Sequence, residues 1–275
     1  MRLRTCVAAL AVGLCAGPAA AEQQIDWKQV SNRELGTSLP PDLKADILGI
    51  ELGAPYATVK PMMEALQKEG ITPDVRRLRE QSVSISLSEG DGTAITASYP
   101  AVLIVERDLK GTGPRPIFET IKVNFSAPSS GHQVLSIERR IAYSERDDEV
   151  RIAEVVKALT DKFRSAPFFD GPTYRWQFND GNAVVPMGKY PFMSCTGPSA
   201  NAEEHELANI NYKGECDVLL EVVFSTGISP EHTRRISFTL TDYERAKANL
   251  TADYGFFANY VNEVRSKTSG AAPKL

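Results

Sequence analysis

The residues best suited to chemistry in this chain of 275 residues are three histidines and one acidic cluster. The cluster is Glu203, Glu204, His205 and Glu206, and carboxylate and imidazole groups are ligands for zinc or, through oxygen alone, for harder cations. Adjacent residues can reach a single ion only when the backbone loops around it, and further ligands would have to come from elsewhere. The cluster therefore predicts a solvated acidic loop, with a metal site as the weaker alternative.

The other two histidines, His132 and His232, lie in loops between predicted strands and belong to no H-E-x-x-H motif. The sequence contains no G-x-S-x-G motif, so it lacks the signatures of both zincins and serine hydrolases. We predict no catalytic residue and no cofactor. The polar loop residues Ser129, His132, Ser229 and His232 are instead interpreted as a binding surface carried by rigid strands.

Two cysteines, Cys195 and Cys216, flank the acidic cluster. Two thiols of an exported protein commonly form a disulfide, and this pair lacks the C-x-x-C spacing of reactive or metal-binding cysteines. The predicted bridge would contribute about 3 kcal/mol on the chain-entropy model. The loop that it closes is the site of an alternative hypothesis, a small-molecule- or metal-binding protein that could be a hydrolase.

The first 21 residues have the pattern of a secretory signal peptide. A basic n-region precedes the apolar run Val7 to Leu14, and small residues end the segment before Glu22. Cleavage after Ala21 would deliver the protein to the periplasm. No later segment has the roughly 18 apolar residues of a transmembrane helix, and the net charge of −4 argues against a general nucleic-acid surface.

Alternating residues predict a hairpin of half-buried strands in the middle of the chain. Apolar residues recur at every second position from Ile121 to Phe125 and again from Leu135 to Tyr143. The pattern repeats 99 positions later, where Leu220 to Phe224 takes the place of Ile121 to Phe125. A common register over a whole hairpin predicts a duplicated module, with Phe125 and Phe224 in equivalent settings.

A helix is predicted ahead of each hairpin. Apolar residues at helical steps indicate one helix over about 56–69 and another with its apolar stripe from Ile152 to Phe163. The Gly and Pro content predicts a loop from Arg107 to Pro116. The predicted fold class is α+β, two tandem helix-plus-antiparallel-sheet modules with a C-terminal helix. The predicted segments are a signal peptide (1–21), a polar arm (22–45), the first module (46–144), the second module (145–242), the C-terminal helix (243–265) and a flexible tail (266–275).

The stretch from Ile50 to Gly53, followed by Val59 and Leu66, resembles the start of the SmpA/OmlA outer-membrane assembly lipoproteins. The duplicated helix-then-sheet plan is similar to that of the β-lactamase inhibitory proteins. These resemblances imply protein–protein contact, with Gly53, Val59 and Leu66 as scaffold positions. The sequence departs from the lipoproteins because it lacks their lipidated Cys and has Gly70-Ile71-Thr72-Pro73 where they close with Gly-Pro.

The predicted function is that of an exported, periplasmic, non-catalytic protein that binds or supports another periplasmic or outer-membrane protein. We expect no nucleic-acid partner and no transmembrane segment in the mature chain. A deep pocket with converging polar groups would favour the ligand-binding alternative, whereas a shallow apolar surface would favour a protein partner.

Overall fold

The computed structural model of the chain describes residues 39–40, 42–88, 94–184 and 217–268. The predicted signal peptide and the Cys195–Cys216 loop, with its cluster from Glu203 to Glu206, lie outside these residues. Most of the predicted N-terminal segment 22–45 and most of the predicted tail 266–275 also lie outside them.

The described residues form twelve strands and three α-helices. The strands are β1 (Asp46–Ile47), β2 (Ile50–Glu51), β3 (Arg77–Ser88), β4 (Ala94–Leu109), β5 (Ile117–Phe125), β6 (Val134–Ala142), β7 (Val150–Arg151), β8 (Phe168–Asp170), β9 (Thr173–Asn179), β10 (Asn182–Ala183), β11 (Val218–Thr226) and β12 (His232–Asp242). The helices are α1 (Tyr56–Lys68), α2 (Ile152–Phe163) and α3 (Tyr243–Thr268).

Ten of the strands build one antiparallel sheet. Its order is β10-β9-β11-β12-β6-β5-β4-β3, with β7 added to β12 and β8 added to β9. One face of this sheet carries the main apolar core, to which α1 contributes Val59 and Met63 and α2 contributes Phe163. The predicted mixed α+β class is confirmed.

Strand β4 continues past the point where the sequence predicted a loop. It runs to Leu109, three residues into the predicted 107–116 loop, because Arg107 is buried in the sheet and its guanidinium binds Glu119 on β5. Helix α3 likewise extends to Thr268, beyond the predicted end at residue 265.

Strands β6 and β12 pair at the centre of the sheet. The midpoint of their ladder joins Arg139 to Phe238, which are 99 positions apart. On either side of this midpoint, Ile137 pairs with Leu240 and Ile141 pairs with Ile236.

The first residues of α1 and α2, Tyr56 and Ile152, are 96 positions apart, but the carbonyls that they bind keep the 99-residue spacing. The Tyr56 N–H, at the start of α1, donates to the His132 carbonyl at 2.8 Å, and the Ile152 N–H, at the start of α2, donates to the Glu231 carbonyl at 2.9 Å. The two acceptors are again 99 positions apart.

Strands β5 and β11 deviate from this spacing by two residues. Their bulges lie at Asn124/Phe125 and at Ser225/Thr226, because the turn after β11 is two residues shorter than the turn after β5. Phe125 and Phe224 are both 3% exposed and belong to one core. Their places in the ladders nevertheless differ by two residues, so the exact equivalence predicted for them is not found.

Candidate functional site

The turn between β5 and β6, here called the first turn, is covered by α3. Ser129 is fully buried and its hydroxyl donates to Asp253 of α3 at 2.5 Å. The backbone N–H of Ala127 donates to the other carboxylate oxygen at 3.1 Å. Ser129 therefore lies beneath α3 and offers no surface to a partner in this conformation.

His132, at the end of the first turn, is engaged inside the protein. Its ring stacks on Tyr56 at 4.4 Å between centroids, and its Nε2–H donates to the Pro100 carbonyl at 2.6 Å. Burial lowers the pKa of His132, and the nearby Glu80 carboxylate only partly opposes this effect. The ring connects the start of α1 to strand β4.

The turn between β11 and β12, here called the second turn, is held differently. The Ser229 hydroxyl lies 2.8 Å from His232 Nδ1, and the backbone N–H of Ile228 donates to the Glu149 carboxylate. Ile228 itself is 54% exposed. Of the two predicted binding loops, this one reaches the surface.

An open groove lies between α2, strand β9 and the second turn; we call it the α2 groove. Its volume is 680 Å³. The apolar lining residues are Ile152, Ala153, Val156, Tyr174 and Pro230, and the polar ones are Arg151, Lys157, Thr160 and Glu231.

The groove is open because α2 leaves much of its apolar stripe uncovered. Phe163 is the only buried residue of α2, whereas Ile152 and Val156 are only half-buried. Apolar surface continues beyond the groove, since Phe169 on β8 is 75% exposed and stacks on Tyr174 at 6.1 Å.

The hairpin lengths explain why α2 is covered less completely than α1. The β3–β4 hairpin beside α1 is long, and Glu80 on β3 accepts hydrogen bonds from Tyr56 and Lys60 of α1. The β8–β9 hairpin pairs only three residues of β8 and turns back at Gly171 and Pro172. It therefore ends before it can cover the start of α2.

The charges at the groove favour an acidic group on a ligand. Arg151 is exposed and makes no ion pair with any residue that the structure describes, whereas Lys157 is paired with Asp161 at 2.5 Å. A carboxylate beside Arg151 would form a charge-assisted hydrogen bond, which is stronger than a neutral one.

A second group of ionisable side chains surrounds Glu80 at the surface. Hydrogen bonds from Tyr56 and Lys60 lower the pKa of Glu80, and burial together with Glu80 raises the pKa of Tyr56. Tyr56, Lys60 and Glu80 are hydrogen-bonded to one another, and these hydrogen bonds connect α1 to β3. Within the described ranges, no three His, Cys, Asp or Glu side chains are grouped as metal ligands.

Comparisons with known proteins found no matching family model, no matching characterised protein and no matching solved structure. Among the described helices, none combines the length and the apolar composition needed to cross a bilayer.

Sequence reasoning located one side of the groove and missed the other. It selected the second turn through Ser229 and His232, and the neighbouring Pro230 and Glu231 line the groove. It assigned the stripe of α2 to the core, because apolar periodicity cannot show how completely a helix is covered. The shortness of the β8–β9 hairpin was the feature that could have indicated that α2 is incompletely covered.

Proposed function

We propose that this chain is an exported, non-catalytic protein that binds an apolar segment of another envelope protein in the α2 groove. The observation that carries this proposal is the open groove itself, whose apolar lining joins the half-buried stripe of α2 to the exposed ring of Phe169. Contiguous apolar surface of this kind marks binding sites on otherwise soluble proteins.

The shape of the groove favours a protein segment over a small molecule. Small-molecule sites enclose most of their ligand and place a few polar groups around it. The α2 groove is open to solvent and its lining is mainly aliphatic and aromatic. An apolar segment of a partner would cover the side chains of Ile152, Val156 and Tyr174, and each 100 Å² of apolar surface removed from water contributes roughly 2.5 kcal/mol.

The position of Arg151 favours a bound segment that carries an acidic residue beside its apolar residues. The residue lies at the rim, next to the first turn of α2, and has no acidic partner among the described residues. We therefore propose that the bound segment carries an Asp or Glu next to its apolar residues. Lys157 contributes less, because Asp161 already neutralises it.

We also propose that the two halves of the sheet are tandem copies of one module. The support for this is the 99-residue separation of the two residues paired at the midpoint of the β6–β12 ladder and of the carbonyls that accept from the first residues of α1 and α2. On this proposal the binding groove is a specialisation of the second copy, produced by shortening its first hairpin.

A matched pair of alanine substitutions tests the binding proposal. Ala153 and Ala158 are both exposed on α2, but only Ala153 lines the groove. A peptide library displayed on phage is selected against the protein, and the affinity of the enriched synthetic peptides is measured by calorimetry. We expect peptides with apolar residues next to Asp or Glu.

Ala153→Glu should weaken such a peptide at least about tenfold, because the new carboxylate would be desolvated next to the peptide's own acid. Ala158→Glu, the control, should leave the affinity within about twofold. Equal losses in both variants, or none in Ala153→Glu, would show that the groove is not the binding site.

A further inference from the structure

Half of the β3–β4 hairpin extends beyond the body of the sheet. Strand β5 pairs with β4 only from Val102 onward, where Asn124 is its partner. Within the part of the chain that the structure describes, residues 82–88 of β3 and 94–100 of β4 therefore pair only with each other. We call these two segments the arm.

The arm is a two-stranded ribbon whose β3 edge could accept a further strand. A two-stranded ribbon is marginally stable in water and gains stability from a third strand. An edge strand also presents unpaired backbone N–H and C=O groups, which proteins usually protect with charges or prolines. Arg77, Arg79 and Glu80 supply such charges at the base of β3, but residues 82–88 contain neither a charge nor a proline.

The sequence of the β3 arm is symmetric about Ile85. It reads Ser-Val-Ser-Ile-Ser-Leu-Ser from Ser82 to Ser88, so serines and aliphatic residues alternate identically in both directions. When two such strands pair antiparallel across a two-fold axis at residue 85, Val83 comes opposite Leu87 of the second copy. Serines then come opposite serines. A shift by one residue would place every aliphatic residue opposite a serine. A shift by two would leave one of the three aliphatic residues without an aliphatic partner, so the register about residue 85 is favoured.

We infer that two copies of this chain associate through their β3 arms, which pair antiparallel about Ile85. In the resulting order β4-β3-β3-β4, the outer edge of each β3 segment gains a backbone partner. A two-fold axis is the commonest symmetry of homo-oligomers and uses one self-complementary patch. Arg77 and Arg79 lie outside the paired window of residues 82–88, so the like charges of the two copies do not face each other.

At the opposite end of the sheet, short strands pair with the outer edge of β9, whereas no described strand pairs with the outer edge of β3. The outer edge of β9 is paired by β8 near its start and by β10 near its end. The α2 groove lies at that end, whereas β3 is the last strand at the other. The dimer would therefore leave both grooves accessible and present two binding sites for partners that are themselves multivalent.

Sedimentation velocity of the purified full chain over a concentration series to roughly 100 µM tests the inference. A dimer of the 30.1 kDa chain is expected. Ile85→Lys places two ammonium groups against each other at the two-fold axis and should return the protein to a monomer. Gln81→Lys, the control, adds the same charge to an exposed residue of β3 outside the window and should leave the dimer intact.

Circular dichroism melts of the two variants establish that each has folded. A single cysteine at residue 85, in a background with the four native cysteines changed to serine, provides a measurement that does not depend on the lysine variant. Ile85→Cys should form disulfide-linked dimers, and Val83→Cys should not, because residue 83 faces residue 87 of the other copy. A monomer throughout the series, a dimer that survives Ile85→Lys, or cross-linking at residue 83 instead of 85 would overturn the inference.

Discussion

The first turn lies beneath α3, whereas the second turn borders an open groove, although both close hairpins of the same design. In each turn a carboxylate accepts the backbone N–H of the residue that leads out of the strand: Asp253 binds Ala127, and Glu149 binds Ile228. The same device is thus used twice, once in a buried setting and once at the surface. What covers each turn, and not the hairpin itself, decides which of them can meet a partner.

The two carboxylates come from different parts of the chain. Glu149 lies between β6 and α2, in the same predicted module (145–242) as the turn that it binds. Asp253 lies on α3, which follows β12, yet it binds the turn of the first half. Because α3 holds the first turn, the first half depends on residues that follow the second half in the chain.

The cores of the two halves differ as well. Glu119 on β5, which is 2% exposed, accepts from Arg107 Nε at 2.5 Å and from Arg139 Nε at 2.7 Å. At the midpoint of the central ladder, Arg139 faces Phe238, its counterpart at the 99-residue spacing. A buried ionic group in the first half therefore meets an aromatic residue of the second.

The largest effect that we predict comes from Glu119→Ala. The substitution would leave the buried guanidinium of Arg107 with the largely exposed Glu69 as its remaining carboxylate partner. Removing one member of a buried ion pair costs about 3–5 kcal/mol. Equilibrium unfolding in urea should show this loss in the free energy of unfolding. Glu221→Ala, which removes the half-exposed partner of Arg175 in the second half, should cost about 1 kcal/mol or less.

A triple variant separates the cost of the unpaired charges from the value of the ion group. Arg107→Met, Glu119→Leu and Arg139→Met together remove all three charges, and well-packed apolar replacements of buried ion groups are often neutral or stabilising. If the triple variant were as unstable as Glu119→Ala, the loss would come from packing and not from uncompensated charge.

The sequence was a good guide to local structure because alternation and helical periodicity are short-range signals. The apolar stripe from Ile152 to Phe163 lies within the observed α2, and the α1 prediction was one residue too long. The Asn179-Asp180-Gly181 sequence, which is typical of hairpin turns, has positive φ angles at Asp180 and Gly181. Each of these features is decided by neighbouring residues.

Short-range sequence patterns could not predict features that depend on contacts between residues far apart in the chain. Ser129 was interpreted as a surface residue because its loop is polar, but its hydroxyl is buried by Asp253, 124 positions away. The loop predicted at Arg107 is a strand because Glu119 compensates the charge. The incomplete cover of α2 depends on the length of a hairpin that only folding places beside it.

We predict that removing the Asp253 carboxylate lowers the free energy of unfolding more than removing the Glu149 carboxylate does. Asp253→Ala would leave the buried Ser129 hydroxyl and the Ala127 N–H without their acceptor, and we expect a loss of about 2–3 kcal/mol in the free energy of unfolding. Glu149→Ala should cost about 1 kcal/mol or less, because the exposed Ile228 N–H can bind water instead. Both values come from urea unfolding near neutral pH.

The pH dependence of Asp253 provides a control for this pair. Burial raises the pKa of Asp253, so the unfolded chain loses this proton at a lower pH than the folded chain does. The folded state is therefore penalised progressively as pH rises from about 4 through the folded pKa. The destabilisation caused by Asp253→Ala should be smaller at neutral pH than at pH 4, and equal effects of the Asp253 and Glu149 substitutions would contradict the proposed difference between the turns.

The smallest effect concerns the histidines at the two turns. Burial lowers the pKa of His132, so the unfolded chain binds a proton at a higher pH than the folded chain does. Stability is then complete above the unfolded pKa of about 6.5 and is lost as pH falls from there through the folded pKa. Unfolding curves of the wild type and of His132→Gln across this range should converge as pH falls, because glutamine does not titrate. His232→Gln should keep the wild-type pH dependence, since it leaves the ring between Tyr56 and Pro100 unchanged. An NMR titration that placed the pKa of His132 at or above its ordinary value would show that the stacked ring is not buried enough to act in this way.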